Sequence, residues 1–222
     1  MFFINRFFGR FTAKSQNKLE SNLRLIYNKT AQKGSISGEF PKVYEEGVWG
    51  PNMMSCYHII SGNNIIYSFP ASHSIYSYNF VNNIQIATEF KSRLFEFILP
   101  MNSKSVNSFK ARNEYFLTQP SYGPIIFDEY RNLYYRVAYH PISNDDLLLN
   151  DPQKSRIKQT SIVVTDDNFN FITETVLLRF DYTETMFFVN SEGLHLAKWS
   201  KSKMDEANLY FDVSKCSILN YE

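Results

Sequence analysis

The chain has 222 residues, 44% hydrophobic and 17% aromatic, with 20 Phe and 15 Tyr but only 8 Gly and 8 Pro. That composition marks a folded chain rich in strand formers and excludes a disordered one. The 23 Lys and Arg against 22 Asp and Glu leave a formal charge of +1, so the chain as a whole lacks the net field that holds a nucleic-acid backbone or an anionic membrane. No stretch approaches the roughly 20 apolar residues that span a bilayer, which excludes a transmembrane segment.

The amino end, MFFINRFFGRF, is aromatic and basic, but Asn5, Arg6 and Arg10 interrupt what would be the apolar core of an export signal. Phe3, Phe7 and Phe11 recur at four-residue spacing, a stripe that fits packing on the protein itself or an interfacial helix. Residues 1–20 are therefore expected as a leader or partial unit. LRLIYNKT and GSISGEFPKVY then predict strands at Leu23–Asn28 and Ser35–Phe40, the closing strands of a first unit over about 22–54.

From Cys56 onward a composite unit recurs: an apolar run, a tight polar turn, a Tyr-rich strand, a loop and a third strand. The copy over about 57–90 predicts strands Tyr57–Ile60, Ile65–Phe69, Ile75–Asn79 and Ile84–Phe90, with turns at Gly62–Asn64 and Val81–Asn83. The copy over about 122–178 has turns at Asp128–Asn132 and Asp166–Asn170 and an insertion between its second and third strands. The last, over about 185–221, has its first turn at Asn190–Gly193. The first turns of the three copies are spaced by 68 and 61 residues. A four-stranded meander cannot bury both faces alone, so face-to-face copies around an axis are the economical solution. The expectation is an all-β fold, a partial β-propeller of about three to four four-stranded antiparallel units in one domain over 1–222, with a β-sandwich as the alternative.

Leu133–His140 alternates Leu133, Tyr135, Val137 and Tyr139 on one face with Tyr134, Arg136, Ala138 and His140 on the other, so both faces are expected to be covered. Arg136 among aromatics reads as a buried structural Arg, stacked on Tyr or paired with a carboxylate. Tyr135, Val137, Ile162, Val164, Phe187 and Leu196 are the predicted core.

Five segments carry a family resemblance: GEFPKVY at Gly38–Tyr44, IIYSFPASHSIYSYN at Ile65–Asn79, YGPIIFDEYRNLYYRVAYHP at Tyr122–Pro141, SIVVTDDNFNFI at Ser161–Ile172, and FFVNSEGLHLAK with the final YFDV. The chain resembles domain of unknown function 4221, whose members look like six-bladed propellers of the TolB type. The resemblance implies a lipoprotein of the bacterial cell envelope, whereas this sequence carries no export signal or lipid-attachment cysteine at its amino end. It implies no catalytic residues and no cofactor.

Asp166, Asn168 and Asn170 match the opening of a calcium loop, but Phe171 stands where that loop needs Gly and Leu177 where it needs Glu, so a hairpin turn is expected and no metal. His58, His73, His140 and His195 lack the paired spacings of a metal site. Cys56 and Cys216 form no framework; whether they pair stays open. No nucleophile elbow, phosphate loop or zinc-protease helix is present, so no catalytic residue is assigned.

In a meander, loops between second and third strands share a face with the connections between units. That gathers Pro70–Ser74, Ile142–Gln159, Arg179–Thr185 and Trp199–Ala207 at one mouth. His73, His140, Asp145, Asp146, Arg156 and Trp199 are the candidate ligand-binding residues, with Lys201 beside them. Ile142–Lys158 is expected as a surface loop, its run Leu147–Leu149 either tucked back or exposed for a partner. The leading expectation is a non-catalytic binding or interaction module whose partner is an unknown protein or small molecule, not nucleic acid. The alternatives are a propeller hydrolase or lyase, which would need carboxylates or histidines converging at the mouth, and a fragment without independent function.

Overall fold

The computed structural model describes residues 2–4, 24–28, 32–37, 39–148, 157–198 and 208–214. Four antiparallel sheets run in chain order: β1 (Phe2–Ile4), β2 (Arg24–Asn28) and β3 (Lys33–Ser37); β4 (Tyr57–Ser61), β5 (Asn64–Ser68), β6 (Ser74–Asn79) and β7 (Ile84–Glu89); β8 (Ser121–Asp128), β9 (Leu133–Tyr139), β10 (Thr160–Thr165) and β11 (Phe171–Val176); β12 (Tyr182–Asn190), β13 (Gly193–Lys198) and β14 (Phe211–Ser214). Each strand pairs with its chain neighbour, so every sheet is a simple meander; the two middle sheets have the four strands expected, and the first and last have three among the described residues. The turns follow their chemistry: Gly62, Asn83 and Asn132 take the left-handed backbone at φ 56°, 60° and 52° that these residues tolerate best.

Successive sheets come together at β8, the first strand of its sheet, with β4 and β5 of the preceding sheet and β12 of the following one against it. This stacking is the arrangement of a partial β-propeller. Strand β9 is buried along its whole length. Tyr134 and Ala138 face the sheet β4–β7 in one apolar cluster with Ile65, Ile66 and Ile75. Leu133, Tyr135, Val137 and Tyr139 face the sheet β12–β14 in a second cluster with Leu194 and Leu196. A two-sheet sandwich would leave one of those faces to solvent, so coverage on both sides excludes it. Of the predicted core, Tyr135, Val137, Ile162, Val164 and Leu196 are buried and Phe187 is half-buried.

Three features depart from the sequence reading. Residues 42–45 and 51–53 form short 3-10 turns that pack Tyr44, Trp49 and Met53 onto the first cluster. The connection 90–120 contains a helix, α1 (Phe109–Thr118), which the sequence hides because it has no apolar stripe; Ser108 caps it by accepting from Ala111 N–H at 3.2 Å. The segment from Ile142 to Lys158 is not a plain surface loop. Ile142 is buried, residues Asn144–Leu148 form a short helix, α2, and the Lys158 ammonium closes the end of α1 by donating to the Phe116 and Gln119 carbonyls at 3.2 and 2.6 Å. Leu147 is half-buried; Leu149 lies outside the described residues.

Candidate functional site

The face that carries the β5–β6, β7–β8, β9–β10 and β11–β12 connections is the predicted mouth, and its foundation is Arg136. This residue is fully buried on β9. Its Nε donates to Ser68 Oγ at 3.0 Å, Nη1 to the His73 and Phe90 carbonyls at 3.3 and 2.6 Å, and Nη2 to the Phe69 and Ser72 carbonyls at 3.2 and 2.9 Å. The guanidinium lies 3.7 Å from the centroid of the Tyr122 ring. Of the two structural roles expected for it, stacking on Tyr holds; backbone carbonyls take the place of a carboxylate. Burial lowers its pKa to about 10, with Tyr122 opposing, so it remains charged at neutral pH. The fork therefore fixes the β5–β6 loop, and with it His73, to the neighbouring sheet.

Above Arg136 a hydrogen-bonded chain links two candidate histidines. His73 Nδ1 and Tyr122 OH are 2.8 Å apart, and the same phenol oxygen accepts from Ser92 N–H at 2.8 Å. Ser92 Oγ donates to Glu174 Oε1 at 2.7 Å, Arg93 N–H to Glu174 Oε2 at 2.8 Å, and Ser161 Oγ to Glu174 Oε1 at 2.6 Å. Ser161 Oγ lies 2.9 Å from His140 Nε2. With its own proton on Glu174, Ser161 accepts from His140, which places the imidazole proton on Nε2. With Ser92 already donating to Tyr122, the phenol proton points to His73 Nδ1, and Nε2 of His73 is the protonated nitrogen. That Nε2 is buried without a hydrogen-bond partner.

The Phe95 ring lies between the two imidazoles, 6.0 Å from His73 and 5.8 Å from His140. Burial lowers the pKa of both; the Glu96 backbone opposes the shift at His73 and Glu174 opposes it at His140. Both are neutral at pH 7. Burial also pushes Tyr122 up to about 12, which keeps the phenol protonated.

The remaining candidates divide. Asp146 forms an ion pair with Arg179 at 2.8 Å, and Arg179 Nε donates to the Ile157 carbonyl at 2.9 Å, so the β9–β10 and β11–β12 connections do meet. Asp145 is exposed. A shallow depression lined by Lys158, Thr160, Leu177, Phe180 and Tyr182 opens beside the ion pair. Arg156, Trp199, Lys201 and Cys216 lie outside the described residues.

Asp166, Asn168 and Asn170 behave as a turn: Asp166 Oδ1 accepts from Asn168 and Asn170 N–H at 2.9 and 2.7 Å. Phe169 adopts φ 65° there, a strained position for an aromatic, held by packing 4.7 Å from the Tyr134 ring. Among the described residues no three His, Cys, Asp or Glu side chains gather as a metal site.

Tyr122, Ser92, Glu174, Ser161 and Phe95 were not anticipated from sequence. The one available signal was Glu174, a carboxylate inside the apolar-alternating run FITETV.

These features define an antiparallel all-β protein of partial-propeller type whose loop face is knitted together by an internal polar network. The family model described as "Domain of unknown function (DUF4221)" matches residues 15–176, and the chain belongs to that family. A crystal structure of a member of the same family from Bacteroides vulgatus is similar, with a TM-score of 0.66 and 19% sequence identity over 88% of this chain and 56% of that one. The chain thus spans a little over half of that protein's length. No curated protein matches.

Proposed function

We propose that the chain is a non-catalytic binding or protein-interaction module, a single TolB-like propeller domain over 1–222, working at the cell envelope through its loop face. The observation that supports this most is the use already made of the polar groups there. An enzyme reading calls for converging histidines and carboxylates, and His73, His140 and Glu174 do converge. Yet each is turned inward, Glu174 accepting three hydrogen bonds from Ser92, Ser161 and Arg93 and the imidazoles ending the relay on either side of Phe95. A general base needs a free lone pair within reach of substrate, and these three bonds take Glu174 out of that role. Such a network instead rigidifies a surface, leaving the rim with Asp145, the Asp146–Arg179 pair and Phe180 as contact groups.

Site-specific photo-crosslinking in cells tests this. A crosslinker at Leu178, exposed on the loop face, is expected to capture a discrete partner, and one at Val81, exposed in a turn at the opposite end of its sheet, is not. Equal labelling from both positions, or none from Leu178, would refute the assignment of the face.

A further inference from the structure

Within the longest connection on the loop face, residues 90–120, the stretch Lys91 to Arg112 combines basic side chains with exposed apolar ones. It carries Lys91, Arg93, Lys104, Lys110 and Arg112 against Glu96, an excess that the flanking Glu89, 3.4 Å from Lys91, and Glu114 reduce to +2, while the whole chain is +1. In the same stretch Leu94, Phe97, Leu99 and Phe109 are 53%, 70%, 56% and 78% exposed, although Phe95 and Ile98 between them turn inward. The segment is held as a unit: Tyr115 OH donates to the Leu99 carbonyl at 2.8 Å, Leu99 N–H to Gln119 Oε1 at 3.1 Å, and Met101 bridges to Val48. Large apolar side chains are thus presented to solvent on an anchored backbone, an arrangement that costs hydration free energy unless something covers it.

We propose that Lys91–Arg112 is a membrane-docking segment that seats on an anionic lipid surface. Leu94, Phe97, Leu99 and Phe109 would enter the headgroup and acyl boundary, with Lys104 and Lys110, both exposed, set against lipid phosphates. The charge complementarity selects this occupant: four exposed apolar side chains beside the exposed Lys104 and Lys110 suit a surface that is both apolar beneath and negative on top. No helix among the described residues is long and apolar enough to cross a membrane, so the contact is interfacial. The proposal deepens the interaction reading by naming what meets one part of the loop face.

Sedimentation of the full chain with vesicles tests it. Binding is expected with phosphatidylcholine vesicles containing phosphatidylglycerol and not with phosphatidylcholine alone. The pair Lys104→Glu and Lys110→Glu should weaken it more than about tenfold, each basic group near such a surface being worth close to a factor of five. The pair Phe97→Ser and Phe109→Ser should abolish it without lowering the melting temperature, whereas Phe7→Ser and Phe11→Ser in the aromatic amino end should leave it unchanged. The proposal is overturned by absence of binding to the anionic vesicles, by binding indifferent to the segment substitutions, by loss through the amino-terminal pair, or by a dimer that Phe97→Ser dissolves. Any of these with the Leu178 crosslink intact removes the lipid and leaves the interaction face standing.

Discussion

Replacing Arg136 by Met probes the foundation of the loop face, because one side chain there holds five acceptors. The substitution keeps volume but removes the guanidinium bonds to Ser68 Oγ and to the carbonyls of Phe69, Ser72, His73 and Phe90, of which Phe69 and His73 still accept from the Ser72 and Phe90 N–H groups. At about 1 kcal/mol net for each buried acceptor the gross loss is roughly 5 kcal/mol. Relief of the buried guanidinium offsets part of this, so about 2–4 kcal/mol of stability should disappear. For a chain of this size that is a fall in melting temperature of about 4–16 °C, read equally well as a lower urea midpoint. Arg136→Lys separates charge from geometry, since an ammonium has three donors on one atom and cannot span acceptors from Ser68 to Phe90. It should recover less than half of the loss. A Met variant within about 0.5 kcal/mol of the parent, the range of ordinary surface changes, would refute the clamp. A Lys variant as stable as the parent would show that charge alone matters.

Val137 is 1% exposed between two sheets, so Val137→Asp should abolish soluble folding, checked by expression and circular dichroism; a folded variant would contradict the two-sided burial of β9. A Cβ on Gly123 would lie 2.7 Å from the Tyr139 ring, and Gly123→Ala should cost about 1–3 kcal/mol in denaturant unfolding, because that ring is itself packed in the core. His73 and His140 have folded pKa values below their unfolded value near 6.5, so the unfolded chain takes up more protons in mild acid. Their contribution should be full above pH 6.5 and erode as pH falls from there toward the folded values. A His73→Gln, His140→Gln double variant should flatten that part of the stability profile.

The strands were legible because their information is local. Gly62, Asn83, Asn132 and Gly193 announce hairpin turns, and the alternation through Leu133–Tyr139 announces a strand covered on both faces. The meeting of the β9–β10 and β11–β12 loops was also foreseeable, since a meander dictates which connections share a face. The network was not. Arg136 finds backbone carbonyls, which every residue offers and no sequence pattern marks. Ser161 and Glu174 share the β10–β11 hairpin, but Ser92 comes from the β7–β8 connection and reaches Glu174 only once the two sheets have packed. Helix α1 escaped notice because Phe109, Tyr115 and Leu117 do not repeat on one stripe, its start resting on the Ser108 cap alone. His73 and His140 were named as ligand candidates from their loops, but a lone histidine does not reveal whether its nitrogens are already engaged.

The central claim is that the loop face is locked from within and acts by contact. Nuclear magnetic resonance titration of the His73 and His140 imidazoles in the intact chain tests it most directly. Both are expected to titrate below 6.5, with the proton of neutral His140 on Nε2 and slow to exchange while Ser161 accepts it. An imidazole at either position that titrates above 6.5, exchanges freely and moves further on adding small hydrolase or lyase substrates would contradict the account and mark a reacting centre.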